Sequence, residues 1–181
     1  MNGILKGVKP LDYLATGLNV VLAALIGLEN ITAGAGADVA HPLDSHSWAM
    51  LPVFVLAAAP LLWRRRNVVA AIAVSVVVVA ASLPAFGWVT RCGFALPLAG
   101  FFAYAVARFA GGKQYQLIGL AGIAFLEVLA LVKDSSTGGL GGLVVGIPLV
   151  VVGYGLGLFV QSRATKRVTA PTLAGERVVH A

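Results

Sequence analysis

A chain of 181 residues that is 59% hydrophobic before its 22 glycines are counted, and 11% charged where a soluble domain averages about 25%, cannot clothe its own core in polar surface. Lipid replaces the missing exterior, so the composition excludes a soluble globular domain and points to one integral membrane domain. The net charge of +6 is dispersed over the ends of apolar runs, which argues against a nucleic acid partner, and the single cysteine, Cys92, leaves no internal disulfide and no cysteine metal spacing.

Lys6 and Lys9 precede an apolar run over 11–28, interrupted by Asp12, Thr16 and Asn19, which is the first expected span. A cleaved signal peptide competes with it, because Ala33, Ala35 and Ala37 offer small-residue cleavage spacing after a basic start. The apolar region is longer than the usual signal core, which favours a retained helix over a five-span protein. Residues 29–47 carry Glu29, Asp38 and Asp44, no Lys or Arg and no usable periodicity, and read as an outward-facing loop. The second span, 48–63, falls short of the about 20 residues that cross about 30 Å of hydrocarbon, so flanking residues or local thinning must help.

Arg64, Arg65, Arg66 and Asn67 follow it as a basic hinge. Each guanidinium costs roughly 2.5 to 3.5 kcal/mol at the bilayer centre on insertion scales, so three of them between two apolar runs stay in the cytoplasm. The third span, 68–89, contains Val76, Val77, Val78 and Val79, a strand signal in a soluble protein. In lipid an open strand edge leaves backbone groups unpaired, so the segment is predicted to be helical. Arg91 marks a tight outer turn before a fourth span, 93–109, which ends at Arg108, Gly111, Gly112 and Lys113. The fifth, 115–132, is closed by Lys133, Asp134, Ser135, Ser136 and Thr137. A glycine-rich sixth span, 138–160, completes the membrane domain over 1–160, and 161–181 read as a basic, flexible cytoplasmic tail.

The expected fold is thus an all-α integral membrane protein, a bundle of six transmembrane helices with both termini cytoplasmic, in the plasma membrane of a bacterium. Of the 13 Lys and Arg residues only Arg91 and Lys133 then lie outside, while Glu29, Asp38, Asp44 and Asp134 fall in outer loops. Trp48, Trp63 and Trp88 all sit at run ends, where amphipathic rings meet headgroups. No internal repeat suggests the inverted halves of a secondary transporter.

Glu127 is the most informative single residue, since it falls near or just beyond the bilayer midplane on the fifth span. Burial disfavours its charged form, so a protonated carboxyl hydrogen-bonded to a neighbouring helix stands against a proton-coupled or ligand-sensing group, or a pair with Arg91. Gln116 lies three turns earlier on the same face. Asp12, Thr16 and Asn19, with Ser75 on the third span, fit a polar seam of interhelical hydrogen bonds, each worth about 0.6 kcal/mol on average in membrane helices. A ligand pocket is the lesser reading of that seam. Arg64, Arg65, Arg66 and Trp63 set topology, and Arg108, one turn from Tyr104, anchors to lipid phosphates. His41, Asp44 and His46 have metal-ligating chemistry but glycine-rich surroundings, so a solvated loop is expected and no metal or cofactor. Gly138, Gly142, Gly146, Gly153 and Gly157 leave a groove for close helix approach, within the bundle or in a dimer. Pro60, Pro84, Pro97 and Pro148 invite kinks in four spans. No nucleophile motif, phosphate-binding loop or metalloprotease signature supports an enzyme.

Pro10-Leu11-Asp12 opening the first helix, and Ala59-Pro60-Leu61-Leu62-Trp63-Arg64-Arg65-Arg66-Asn67 before an Ala/Val-rich helix, resemble the amino-terminal membrane domain of some bacterial two-component sensor histidine kinases, over roughly residues 10–160. The resemblance implies a dimeric membrane input module joined to its output by a continuous cytoplasmic helix. This chain departs there: Pro171 and Gly175 are expected to interrupt such a helix, and His180 in Glu176-Arg177-Val178-Val179-His180 lacks the following acid of a phospho-acceptor box, so no kinase activity carries over. The expected function is therefore non-catalytic: a stand-alone sensor-like input or regulatory module. The alternatives are a small transporter or channel subunit using Glu127 and an accessory or scaffold subunit docking through the sixth-span glycines. The expected partners are the lipid bilayer and a second copy or another membrane protein.

Overall fold

The computed structural model describes residues 8–33 and 39–179, of which 165–179 by backbone alone. Lys6, Ala35, Ala37, Asp38 and His180 lie outside the described residues. Every regular element among those described is helical: α1 (Pro10–Thr32), α2 (Met50–Ala58) continued by a 3₁₀ segment (Ala59–Trp63), α3 (Val68–Phe86), α4 (Cys92–Phe109), α5 (Lys113–Leu131) and α6 (Leu143–Val179), the last preceded by a 3₁₀ turn (Leu140–Gly142). One isolated bridge joins Val89 and Asp134.

Among the described residues, five helical segments are long and apolar enough to cross a membrane: Pro10–Thr32, Val68–Phe86, Cys92–Phe109, Lys113–Leu131 and Leu140–Ala164. The segment Met50–Trp63 is shorter. Pro60 supplies no backbone donor, and the chain tightens into 3₁₀ geometry there. At about 1.5 Å per α residue and about 2.0 Å per 3₁₀ residue the segment reaches about 23 Å, less than the hydrocarbon thickness of about 30 Å. The four consecutive valines are helical, and α3 is capped by Asn67, whose Oδ1 accepts from the Ala70 backbone N–H at 2.9 Å. Its end is sharper than 89: Gly87 turns left-handed at φ 63°, in a position where a Cβ would collide with the Asp44 carboxylate.

Both ends of the sixth span also differ from expectation. Gly138 and Gly139 have φ of 63° and 103°, so the sixth helix begins not at Gly138 but at Leu143. At its other end Pro171 and Gly175 do not stop it, and α6 runs on through the expected flexible tail to Val179.

α1 turns its polar side into the bundle. The buried face of α1 is Asp12, Ala15, Thr16, Asn19, Ala23, Gly27 and Asn30, whereas Leu11, Leu14, Leu18 and Leu25 point outward and are about half exposed or more. A helix that faced water would reverse this, and the arrangement is compatible with a lipid-facing outer surface. α4 is the central helix, touching α1, α3, α5 and α6, and its inward stripe includes Phe94, Leu98, Phe102 and Val106, all fully buried. α6 runs alongside α4 in the same direction, with Gly146 against Leu96, Gly153 against Gly100 and Gly157 against Tyr104.

Candidate functional site

At one end of the bundle the basic hinge closes on the start of α1. Pro10 at the first helical turn and the Asp12 carboxylate reaching back to the Lys9 N–H (2.9 Å) fix this terminus and aim Asp12 inward. Asp12 Oδ1 accepts from Arg64 Nε (3.0 Å) and Nη2 (2.8 Å), and Oδ2 from Arg65 Nε. Asp12 is fully buried and Arg64 is 4% exposed. Arg64 Nη1 is buried with no hydrogen-bond partner. The Arg65 guanidinium lies 4.7 Å from the Phe109 ring centroid, and Arg108 donates from Nη1 to the Tyr104 hydroxyl at 3.1 Å. Arg66 is exposed beside them, and Trp63 is half-buried in the 3₁₀ segment.

From this cluster a cavity of about 480 Å³ extends between α1, α4 and α6, walled by Leu14, Pro97, Phe101, Leu149, Val152 and Leu156. Arg64 and Arg65 are the charged residues on its wall, and Tyr104 is the polar aromatic. Such volume falls within the about 300 to 1,000 Å³ of small-molecule sites, which combine apolar walls with a few placed polar groups.

The remaining polar candidates scatter through the bundle. Glu127 is 4% exposed and points at α6: a Cβ added to Gly146 would stand 2.6 Å from its Oε1, which has no hydrogen-bond partner. It does not pair with Arg91. Gln116, on the same face of α5, also meets α6, accepting at Oε1 from the Tyr154 hydroxyl at 2.9 Å. Ser75 bridges helices, donating to the Ala57 carbonyl of α2 at 2.8 Å. Asn19 instead turns back on its own helix, donating to Ala15 O at 3.0 Å, while its Oδ1 and Thr16 Oγ1 are buried without partners.

The expected glycine groove divides by position. Gly146, Gly153 and Gly157 are spent on packing within the chain, Gly142 lies against Leu131 and Thr137, and Gly138 belongs to the turn.

At the opposite end Asp134 organises the turns. Its carboxylate accepts from the backbone N–H groups of Arg91 (2.6 Å) and Cys92 (2.7 Å), which start α4, and from Ser136 Oγ, Thr137 Oγ1 and the Thr137 N–H. A carboxylate on the exposed donors of a helix start is favourable in charge and in geometry. The fully buried Arg91 turns the other way, donating to the carbonyls of Lys133 (2.9 Å), Gly87 (3.1 Å) and Ser82 (3.3 Å). Burial pulls its guanidinium down to about 10 against the opposing charge of Asp134, which leaves it cationic at neutral pH.

The loop before α2 keeps Asp44 and His46 exposed, as expected, yet also makes fixed contacts. His41 stacks on Trp88 with ring centroids 4.0 Å apart, Asp44 Oδ2 accepts from the Trp88 N–H (2.8 Å), and His46 Nδ1 meets the Asn30 carbonyl (2.7 Å). Asn30, which the sequence reading passed over, bonds the Thr90 backbone at both its N–H and its carbonyl. Among the described residues no three His, Cys, Asp or Glu side chains gather where they could hold a metal ion.

The chain matches no protein-family model, no curated protein and no solved structure.

Proposed function

We propose that the chain is a non-catalytic six-span protein of a bacterial plasma membrane, both termini cytoplasmic, working as an input module of the kind that precedes the output regions of sensor histidine kinases. The short segment Met50–Trp63 is its second crossing, aided by bilayer thinning. One observation carries the reading: α6 forms a wall of the cavity and then continues as a single helix to Val179, beyond the apolar stretch that ends at Ala164. Whatever occupies the cavity thereby gains a mechanical connection to the cytoplasm, because a helix sliding or rotating on α4 moves its far end as one body.

The test places a spin label at Ser162 on α6 and another at Tyr115 on α5, with Cys92 replaced by Ser, in lipid nanodiscs. Filling the cavity with Val152→Trp should shift the label separation. An unchanged distance distribution refutes the coupling, and reporters fused at the Arg66–Asn67 hinge that face the outside refute the topology.

A second reading is favoured by the unpartnered Oε1 of Glu127, since a buried carboxyl without a hydrogen bond suits a proton or cation carrier. Dissipation of a pH gradient by proteoliposomes, abolished by Glu127→Gln, is its expected signature. Absence of flux, or flux unaffected by the substitution, removes it. For the scaffold alternative, Gly146, Gly153 and Gly157 lie against α4 and Glu127, so docking through α6 would use another part of its surface.

A further inference from the structure

We propose that the cavity between α1, α4 and α6 is a headgroup-selective site for one anionic phospholipid, drawn from the leaflet at the hinge end. One acyl chain lies along α4, and the phosphate sits at Arg64 and Arg65. The proposal rests on the bilayer placement given above and not on the input role.

Charge is the first argument. Asp12 meets two guanidiniums, so the cluster at the cavity's end carries one uncompensated positive charge, and Arg108 with Tyr104 adds a second cation nearby. Arg64 is more than nine-tenths buried and committed to Asp12, so Arg65 is the accessible cation on the cavity wall, and a neutral occupant would leave its charge unmatched. A phosphodiester offers both the missing charge and several acceptor oxygens, and arginine forks match phosphate geometry. Arg65 is the residue placed to greet it, since its side chain keeps 21% exposure while its Nε stays on Asp12.

Shape is the second argument. The wall is almost wholly apolar beyond the arginines, and 480 Å³ accommodates a single alkyl chain but not an entire two-chain lipid. The second chain therefore remains in the bilayer, which the outward-facing Leu14, Val152 and Leu156 adjoin. An ordinary annular lipid on a smooth helix face has neither a slot for its chain nor a cation at the slot's end. Here the apolar wall and the two arginines line the same cavity.

The experiment uses the full chain, first shown to float with liposomes, so that failure to insert is distinguished from failure to select. Delipidated protein in detergent is then titrated with phosphatidylglycerol, phosphatidylcholine of the same chains, or palmitate, and bound species are counted by native mass spectrometry. Phosphatidylglycerol should bind about tenfold or more tighter than phosphatidylcholine, the ratio expected of one additional charge-assisted contact. Arg65→Gln, which leaves Asp12 held by Arg64, should erase the preference without preventing chain entry. Val152→Trp, and independently Leu156→Trp, should block both lipids, and both positions are outward-facing enough to spare the fold. Equal binding of the two phospholipids, a preference that survives Arg65→Gln, or binding indifferent to both tryptophans overturns the site. Binding of palmitate without phosphatidylglycerol overturns the phospholipid as occupant.

Discussion

Gly157→Ala provides a direct measure of how closely α6 must approach α4. A Cβ at this position would stand 2.6 Å from the Tyr104 carbonyl oxygen and 2.6 Å from Ala107 Cβ, groups fixed to the backbone of α4 that have no rotamer to move into. Ordinary carbon contacts lie at about 3.5 to 4.0 Å, so the helices must part by about 1 Å. A gap of that size forfeits a quarter to a half of each contact's attraction along the seam, and overpacking in general costs about 1 to 3 kcal/mol. The substitution also raises helix propensity by about 1 kcal/mol, which would mask part of the loss. Gly155→Ala cancels that term, because it makes the same propensity change two residues away where a Cβ meets nothing within 4 Å. The stability difference between the two alanine variants should therefore be about 1 to 3 kcal/mol, Gly157→Ala being the weaker. Reversible unfolding in mixed micelles, followed by circular dichroism against denaturing detergent, reads it. Equal midpoints would show that α4 and α6 do not pack through this glycine.

Asp12→Asn should lower stability by about 3 to 5 kcal/mol in the same assay, since it leaves two guanidiniums without their shared, buried carboxylate; a loss under about 1 kcal/mol would mean the cluster is solvated. Asp134→Asn should cost at least the about 1.5 to 3 kcal/mol of one hydrogen bond to a charged group, because an amide presents donors to donors at the start of α4; hydrogen exchange at Arg91 and Cys92 should rise, and unchanged protection there would contradict the cap. Glu127→Leu should leave the fold as stable or stabilise it by about 1 to 3 kcal/mol, since it removes a buried acceptor that bonds nothing; a marked loss of stability would reveal a partner for the carboxylate.

How much of this was legible beforehand differs by element. The helical state of α3 agrees with the expectation that an apolar span pairs its backbone within its own segment, against the β-branched signal of Val76 to Val79. The starts and ends set by Asn67, Arg91 and Lys113 fell within two residues of expectation, because charge and capping chemistry are local. The beginning of α6 was not legible: a run from Gly138 looks continuously apolar, and only the left-handed backbone of Gly138 and Gly139 breaks it. Nor could spacing decide whether the α6 glycines faced inward or toward a second copy. That depended on Gly100 and the small residues of α4 being set opposite them.

The hinge cluster marks the limit most clearly. Asp12 reads as one polar position in a seam, and Arg64 and Arg65 as orientation signals, when each is taken on its own helix. Yet the alternation of spans already puts the start of α1 and the hinge at the same end of the bundle, and an acid beside two arginines at that end is a pair awaiting a contact between α1 and the 3₁₀ segment. The contact is made, and its stoichiometry matters: one carboxylate cannot neutralise two guanidiniums. A bundle that needed only a structural ion pair there would do with a single arginine, whereas this one keeps a surplus cation at the mouth of an apolar cavity. The surplus is the feature that joins packing to recognition, because it costs stability unless something anionic arrives to meet it.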